Sequence, residues 1–323
     1  MTERPQRIKT VRRAIHGVLL LDKPLGWSSN DALQKAKWLL RAEKAGHTGT
    51  LDPLATGLLP LCFGAGTKFS QISLDADKAY TATLQMGVTT TTGDLEGEVL
   101  ERLPVNFSPE QLNAAVAALR GEISQVPPMY SALKFEGRPL YEYARAGIAI
   151  ERPSRQVTIH ALEIMDWQDD KLTLSVRCSK GTYVRTLAED LGRALGCGAH
   201  LTALRRTASG PVSVENAISL DALAALTEAE REALLRPPDA LLADWPAVRL
   251  SQDEAARFLT GLRRRLNAPD QPHVRVYGQH PRAFLGGAHI QGGELIPDRL
   301  LSPQEVASLV STEQKSEFFE SVV

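Results

Sequence analysis

The run Gly46-His-Thr-Gly-Thr-Leu-Asp-Pro-Leu-Ala-Thr-Gly57 constrains this chain more than any other stretch. Gly46, Gly49 and Gly57 open backbone conformations closed to other residues, and Pro53 pushes Asp52 toward extended geometry and out of the helical well. A helix or strand written for packing would not carry that composition. The segment therefore reads as a shaped loop presenting one carboxylate, Asp52. Asp-Pro and glycine are also ordinary surface-turn punctuation, so the segment alone leaves both readings open.

The remainder of the chain narrows the setting. At 323 residues, with 43% hydrophobic side chains, it has the length of about two domains and enough apolar surface for a substantial core. Cys62, Cys178 and Cys197 form no C-x-x-C pair and read as small buried hydrophobes in a reducing compartment. The seven histidines show no H-E-x-x-H or His-x-x-x-His spacing, so no metal is expected. No apolar run approaches the roughly 18 residues of a membrane span, and the basic N-terminus lacks the apolar stretch of a signal peptide. The expected location is cytoplasmic, with no membrane partner.

A formal net charge of −1 excludes a uniformly basic surface but not local fields. Arg4, Arg7, Lys9, Arg12 and Arg13 crowd the first thirteen residues, and Arg263-Arg264-Arg265 forms a second basic run. Acidic residues collect from Thr227 to Asp244 and from Glu305 to Glu320. Each basic run by itself fits a solvated face; together they allow a polyanionic partner.

Apolar runs and turn signals then set out the elements. Val18 to Leu21 reads as a buried strand ending in the Asp22-Lys-Pro-Leu-Gly26 turn, and Ser29 as the cap of a helix from Asn30 to Arg41. Leu58 to Phe63, Tyr80 to Gly87 and the alternation Leu172, Leu174, Val176 read as strands. Ser108 to Leu119 reads as a capped helix, and a further helix carries Val184, Leu187, Leu191 and Leu195. This irregular interleaving predicts a mixed core of strands and helices rather than a regular βαβ series. After Trp245 come a short helix near Ser251 to Leu259 and short strands at Val274–Tyr277, Ala283–Leu285 and Glu294–Ile296. Gly286-Gly287 and Gly292-Gly293 split these strands, which predicts a small β-barrel. The tail after Gln314 reads as loose.

Gly64-Ala-Gly-Thr-Lys68 lacks the full phosphate-loop spacing and reads as a loop before a helix, and no G-x-S-x-G elbow is present. What remains is a set of polar residues at strand ends and loops: Lys23, His47, Asp52, Tyr80, Asp94, Lys134, Tyr183 and Arg185. Spacing alone does not bring them together. The stretches Gly17–Gly26, Gly46–Gly57, Asp77–Tyr80, Tyr130–Lys134, Ser179–Arg185 and Gly198–Arg205 resemble, in the same order, the bacterial TruB family of tRNA pseudouridine synthases.

That resemblance implies an α+β pseudouridine-synthase fold, with a mixed, largely antiparallel central sheet flanked by helices, and a small PUA-like C-terminal β-barrel. The implied layout is a basic tail over 1–13, a catalytic domain over 14–244 with an RNA-contacting insertion near 124–152, a PUA-like domain over 245–312 and a tail over 313–323. It makes Asp52 the catalytic aspartate, Arg185 its arginine partner and Tyr80 a base-stacking tyrosine able to relay a proton. His47 corresponds to a histidine that occupies space in the remodelled RNA loop, and Tyr183 and Leu204 to residues lining the base pocket. Lys23 and Asp94 match positions near the RNA or the active-site rim, and Lys134 opens a basic segment running to Arg152 that closes over the RNA. The sequence departs from the family at Trp27-Ser28-Ser29 and in the Thr89–Asp94 loop, where Asp94 is the remaining acid.

The implied reaction is isomerisation of the T-loop uridine conventionally numbered 55 in tRNA. It needs no cofactor, metal, guide RNA or protein partner, and a monomer is expected. A tRNA-binding folding factor with incidental chemistry is the alternative from another class.

Overall fold

A computed structural model describes residues 11–279 and 282–310; most of the basic N-terminal tail and the C-terminal tail lie outside the described residues. The apolar runs pair into a ten-stranded sheet. Gly17–Lys23 runs antiparallel to Ala55–Phe63, with Lys23 opposite Gly57. Ala55–Phe63 pairs in parallel with Ala199–Ser209, and the sheet continues through Lys78–Met86, Lys171–Cys178, Arg155–Gln168 and Gly121–Gln125 in antiparallel register. The sheet is therefore mixed and largely antiparallel. Tyr80 lies opposite Arg206, and Ala82 opposite Leu204, across the centre of this order.

Helices cover the sheet through two apolar clusters. Ala32, Leu33, Ala36 and Leu39 of the helix Ser29–Leu39 pack on Leu19, Leu21, Leu59 and Leu61. Leu187 and Leu191 of the helix Val184–Ala194 pack on Leu84, Leu174 and Leu201. Tyr80 and Leu204 touch both clusters, so these neighbouring strands sit where the two cores meet. Burying such side chains contributes about 1.5–3 kcal/mol each relative to exposure.

The two longest strands carry no clear strand pattern in the sequence. Arg155–Gln168 begins with alternating Val157 and Ile159, but a bulge between Ile159 and Ala161 moves the inward set to Leu162 and Ile164. One extra residue reverses the side-chain phase, so no single period-2 pattern runs through the strand. Ala199–Ser209 is likewise bulged, at two places. The first helix also differs by one residue from expectation: Ser28, not Ser29, accepts the Asp31 amide as its cap. The glycine-rich stretch Gly64–Phe69 is itself a turn of 3₁₀ helix leading into the helix Ser70–Asp75.

C-terminal to this body, five strands form a curled sheet in the order Ala247–Leu250, Gln271–Gln279, Arg282–Gln291, Glu294–Leu300, Arg264–Arg265. It is a half-barrel of the kind expected for a PUA-like domain, packed around Phe258, Val276 and Leu295. Gly286-Gly287 lies inside a strand rather than between two, while Gly292-Gly293 makes a hairpin turn. The Phe69 and Phe284 rings, 5.1 Å apart, and Lys68, which donates to Glu305 (2.6 Å) and Leu300 O (3.0 Å), join this sheet to the larger one.

The glycines of the Asp52 segment are not equivalent. Gly57 has φ +97°, and a Cβ there would lie 2.3 Å from the Arg206 carbonyl oxygen on the parallel neighbour. Gly49 has φ +82°. Gly46, by contrast, sits in the strand Ala45–His47 without a positive φ and with open space where a Cβ would go. Gly57→Ala should therefore cost more than about 2 kcal/mol, and Gly46→Ala should stay within about 0.5 kcal/mol. Urea unfolding of both variants checks this, and equal losses would contradict the close-approach explanation.

Candidate active site

Asp52 is placed by backbone chemistry on both sides. Its carbonyl accepts from the Ala55 amide at 3.0 Å, closing a turn with Pro53 in the second position, where a fixed φ near −65° fits. The preceding residue is held from the helix Ser29–Leu39: the Leu51 amide donates to Ser29 Oγ at 2.7 Å, and that hydroxyl donates to Leu51 O at 3.0 Å. The serine read as a helix cap thus clamps the loop that carries the carboxylate. Gly26 N donates to Pro53 O at 2.9 Å, closing the far side.

Arg185 enters from the first turn of the helix Val184–Ala194, with its side chain 6% exposed. One guanidinium nitrogen, Nη2, lies 2.9 Å from Asp52 Oδ2 and donates to Tyr130 O at 2.6 Å. Its Nη1 faces Asp94 Oδ2 at 3.5 Å and donates to Thr92 O at 3.2 Å. Asp94 is in turn held by the Thr92 hydroxyl and by the Glu96 amide. Asp52 has no hydrogen-bond partner for Oδ1 among the described residues, so one carboxylate oxygen is anchored and the other is available.

Around this pair lies a cavity of about 450 Å³, lined by Asp52, Arg185, Asp94, His47, Tyr130 and Arg145 among others. That volume falls within the range of about 300–1,000 Å³ found for small-molecule sites. The Asp52 side chain is 42% exposed and lines this recess. Burial raises its pKa, and Asp94 adds to the rise, while Arg185 and Lys23 oppose it. Glu96, also in the lining, is raised by burial and by the same two aspartates. Three acids thus share one cavity, with Arg185 against two of them.

The other nominated residues divide. His47 lines the cavity with a buried Nδ1 that has no partner among the described residues; burial and the nearby Arg206 charge hold its pKa below the usual histidine value. Tyr80 is half-buried, and burial raises its pKa. Tyr80, Tyr183 and Leu204 are not among the cavity-lining residues. The Tyr183 amide and carbonyl bond both ends of the Gln125 side-chain amide, and Arg155 lies over its ring at 4.8 Å. Lys134 is exposed on a two-stranded hairpin, Lys134–Phe135 with Arg138–Pro139.

Lys23 does not reach the rim. It is 0% exposed, and its ammonium donates to Pro24 O (3.0 Å) and Trp27 O (2.5 Å). A buried ammonium takes the nearest carbonyls, which here fold the Asp22–Gly26 turn onto its own base. Four contributors escaped the sequence reading: Thr92, Tyr130, Glu96 and the fully buried Arg206. Arg206 had a signal, since it follows the core residue Leu204 by two positions on a strand and so shares its face.

A larger cavity of about 570 Å³, lined by Gly87, Arg102, Asp170 and His200 among others, contains none of the nominated residues. Asp52, Arg185, Asp94 and His47 all line the smaller one.

Residues 37–184 match the TruB family pseudouridylate synthase (N terminal domain), 185–243 the tRNA pseudouridylate synthase B C-terminal domain, and 246–301 the pseudouridine synthase II TruB C-terminal region. A protein of Verminephrobacter eiseniae called tRNA pseudouridine synthase B is 60% identical over 314 residues, covering 95% of each chain. This chain belongs to the TruB family of pseudouridylate synthases. A second TruB-family relative of the same name, from Ralstonia nicotianae, is 58% identical over 93% of this chain and 99% of its own length. The fold is shared with the crystal structure of a Cbf5-Nop10-Gar1 complex, at TM-score 0.70 and 23% identity, covering 90% of this chain and 86% of that one. Among the described residues no helix is long and apolar enough to cross a membrane.

The burial of Lys23 has a measurable consequence. Desolvation lowers its pKa to about 8, against about 10.4 for a lysine in the unfolded chain. Between those values the unfolded state binds more protons, so the cost of burying this ammonium is full below pH 8 and is relieved as pH rises. Urea unfolding of wild type and Lys23→Met at pH 8 and pH 10 should show wild type gaining on the variant at the higher pH. Parallel curves would contradict the buried-cation assignment.

Proposed function

We propose that this chain isomerises the T-loop uridine conventionally numbered 55 of tRNA to pseudouridine, with Asp52 as the essential carboxylate. The observation that carries this reading is the Asp52–Arg185 pair at 2.9 Å facing the 450 Å³ cavity with Oδ1 unengaged. Family membership and the tRNA pseudouridine synthase B relatives support it. In the reaction the C1′–N1 bond breaks, the uracil turns, a C1′–C5 bond forms, C5 loses a proton and N1 gains one. Nothing is oxidised or reduced, and no cofactor is required. An ionised Asp52 can act as nucleophile or stabilise positive charge developing at the sugar. Arg185 keeps it ionised and oriented through one oxygen.

A T-loop uridine must leave its stack to enter the cavity, which costs a few kcal/mol. Stacking on an aromatic face returns about 1–3 kcal/mol, and Tyr80, Tyr183 and Leu204 are assigned to the base. Phosphate contacts supply the remainder. Exposed Lys134 and cavity-lining Arg145, both on the segment between Gly121–Gln125 and Arg155–Gln168, are assigned to the RNA backbone. His47 is assigned to the T-loop, Asp94 to the alignment of Arg185, and Lys23 to support of the site from beneath. The protein acts alone, without guide RNA or protein partner, and as a monomer.

Pseudouridine mapping on an unmodified tRNA transcript should show one new pseudouridine in the T-loop with wild type and none with Asp52→Asn, while binding is retained. Product from the variant would remove Asp52 from the chemistry. Folded wild type that binds tRNA without forming product would favour the folding-factor alternative.

Asp94 raises the Asp52 pKa and competes with it for Arg185. Asp94→Asn removes both effects, so ionised Asp52 persists to lower pH and the acid limb of the single-turnover pH profile should move down. Movement in the opposite direction would show that Asp94 does not act through Asp52's charge.

A further inference from the structure

Arg206 is 1% exposed, yet among the described residues it bonds backbone carbonyls rather than a carboxylate. Its Nε donates to Leu58 O at 2.7 Å and its Nη2 to Gly49 O at 3.2 Å. Those two carbonyls bracket the Asp52 loop, one three residues before the carboxylate and the other just inside the strand that follows. Nη1 lies 3.2 Å from where a Gly49 Cβ would stand, so any other residue there would press on the guanidinium as well as strain the backbone at φ +82°. On its other side Arg206 is the direct cross-strand neighbour of Tyr80. Directly opposed side chains project from the same face of a sheet with Cβ atoms about 4.5–5.5 Å apart, so the guanidinium charge lies against the Tyr80 phenol and opposes the rise that burial gives its pKa.

A single buried cation therefore holds both ends of the loop that presents Asp52 and stands directly across the sheet from the phenol assigned to the base. Lys23 and Lys78, also buried and satisfied by backbone carbonyls, add positive charge around Arg206.

We propose that Arg206 is a positioning residue for the isomerisation, fixing the Asp52 loop relative to the strand that carries Tyr80. This rests on the roles given above to Asp52 and Tyr80. A lysine at 206 would keep the charge but could not span both loop carbonyls as the guanidinium fork does.

The test is a double-mutant cycle of Arg206→Lys with Tyr80→Phe, read by single-turnover pseudouridine formation and by tRNA affinity, with thermal melts confirming the folded state. In the tyrosine background Arg206→Lys should slow the chemical step by roughly tenfold or more while the dissociation constant changes by less than about threefold. In the Tyr80→Phe background the same change should cost less than about threefold. The pH-rate limb that Tyr80→Phe abolishes should be displaced in Arg206→Lys. Equal losses in both backgrounds, or affinity falling in step with rate, would overturn the proposal and leave Arg206 as scaffold. Arg206→Gln, uncharged and of similar reach, is the second variant, and failure of both to fold would overturn it in the same way. Inactive wild type in the same assay would instead remove the isomerase reading itself.

Discussion

A guanidinium taken out of water must find acceptors or cost several kcal/mol, and Arg185 finds four. Two are carboxylates, Asp52 and Asp94, and two are carbonyls, Thr92 O and Tyr130 O. They come from three loops separated by tens of residues in the chain, so one side chain on a well-packed helix decides where those loops stop. The helix can bear this because its opposite face is anchored by Leu187 and Leu191 in the larger core. Without the cation, Asp94 would be a buried acid without its ion pair, and the cavity would lose its only described link among the loops at 52, 92–94 and 130.

The same physics recurs beneath the site. Lys23, Lys78 and Arg206 are buried cations satisfied mainly by backbone carbonyls, and each uses its charge to hold a turn or loop end in place. Burial, with the Arg206 charge nearby, lowers the pKa of His47, and the same cation opposes the rise that burial gives Tyr80.

The Asp52 loop combines two demands that pull against each other. Its backbone is held tightly, by Ser29 through Leu51, by the Pro53 turn and by Gly57 against the Arg206 backbone. Its carboxylate, however, keeps one oxygen unengaged and accessible in the cavity. Rigid backbone with a partly free functional group is the arrangement expected where reacting geometry must be set in advance. The half-barrel beyond Trp245 is joined through Phe69–Phe284 and Lys68–Glu305, which places a second folded unit against the body that carries the site.

Much of this was legible in the order of residues. Short apolar runs marked the strands at Gly17–Lys23, Ala55–Phe63 and Lys171–Cys178, because alternation and length report burial directly. The loop presenting Asp52 announced itself through Gly49 and Pro53, although the Gly46 and Gly57 ends of that segment are strand, and the family resemblance named Asp52, Tyr80 and Arg185. The bulged strands Arg155–Gln168 and Ala199–Ser209 were not legible, since one extra residue reverses the phase on which the pattern depends. Nor was it legible that Ser29 clamps Leu51, that Lys23 turns inward, or that Thr92 and Tyr130 offer Arg185 their carbonyls. Backbone acceptors are present at every residue, so their use carries no compositional mark. Sequence by itself determined the local conformations and the chemical groups available; only tertiary structure decided which of those groups meet, because a buried charge selects its partners by distance and dehydration rather than by position in the chain.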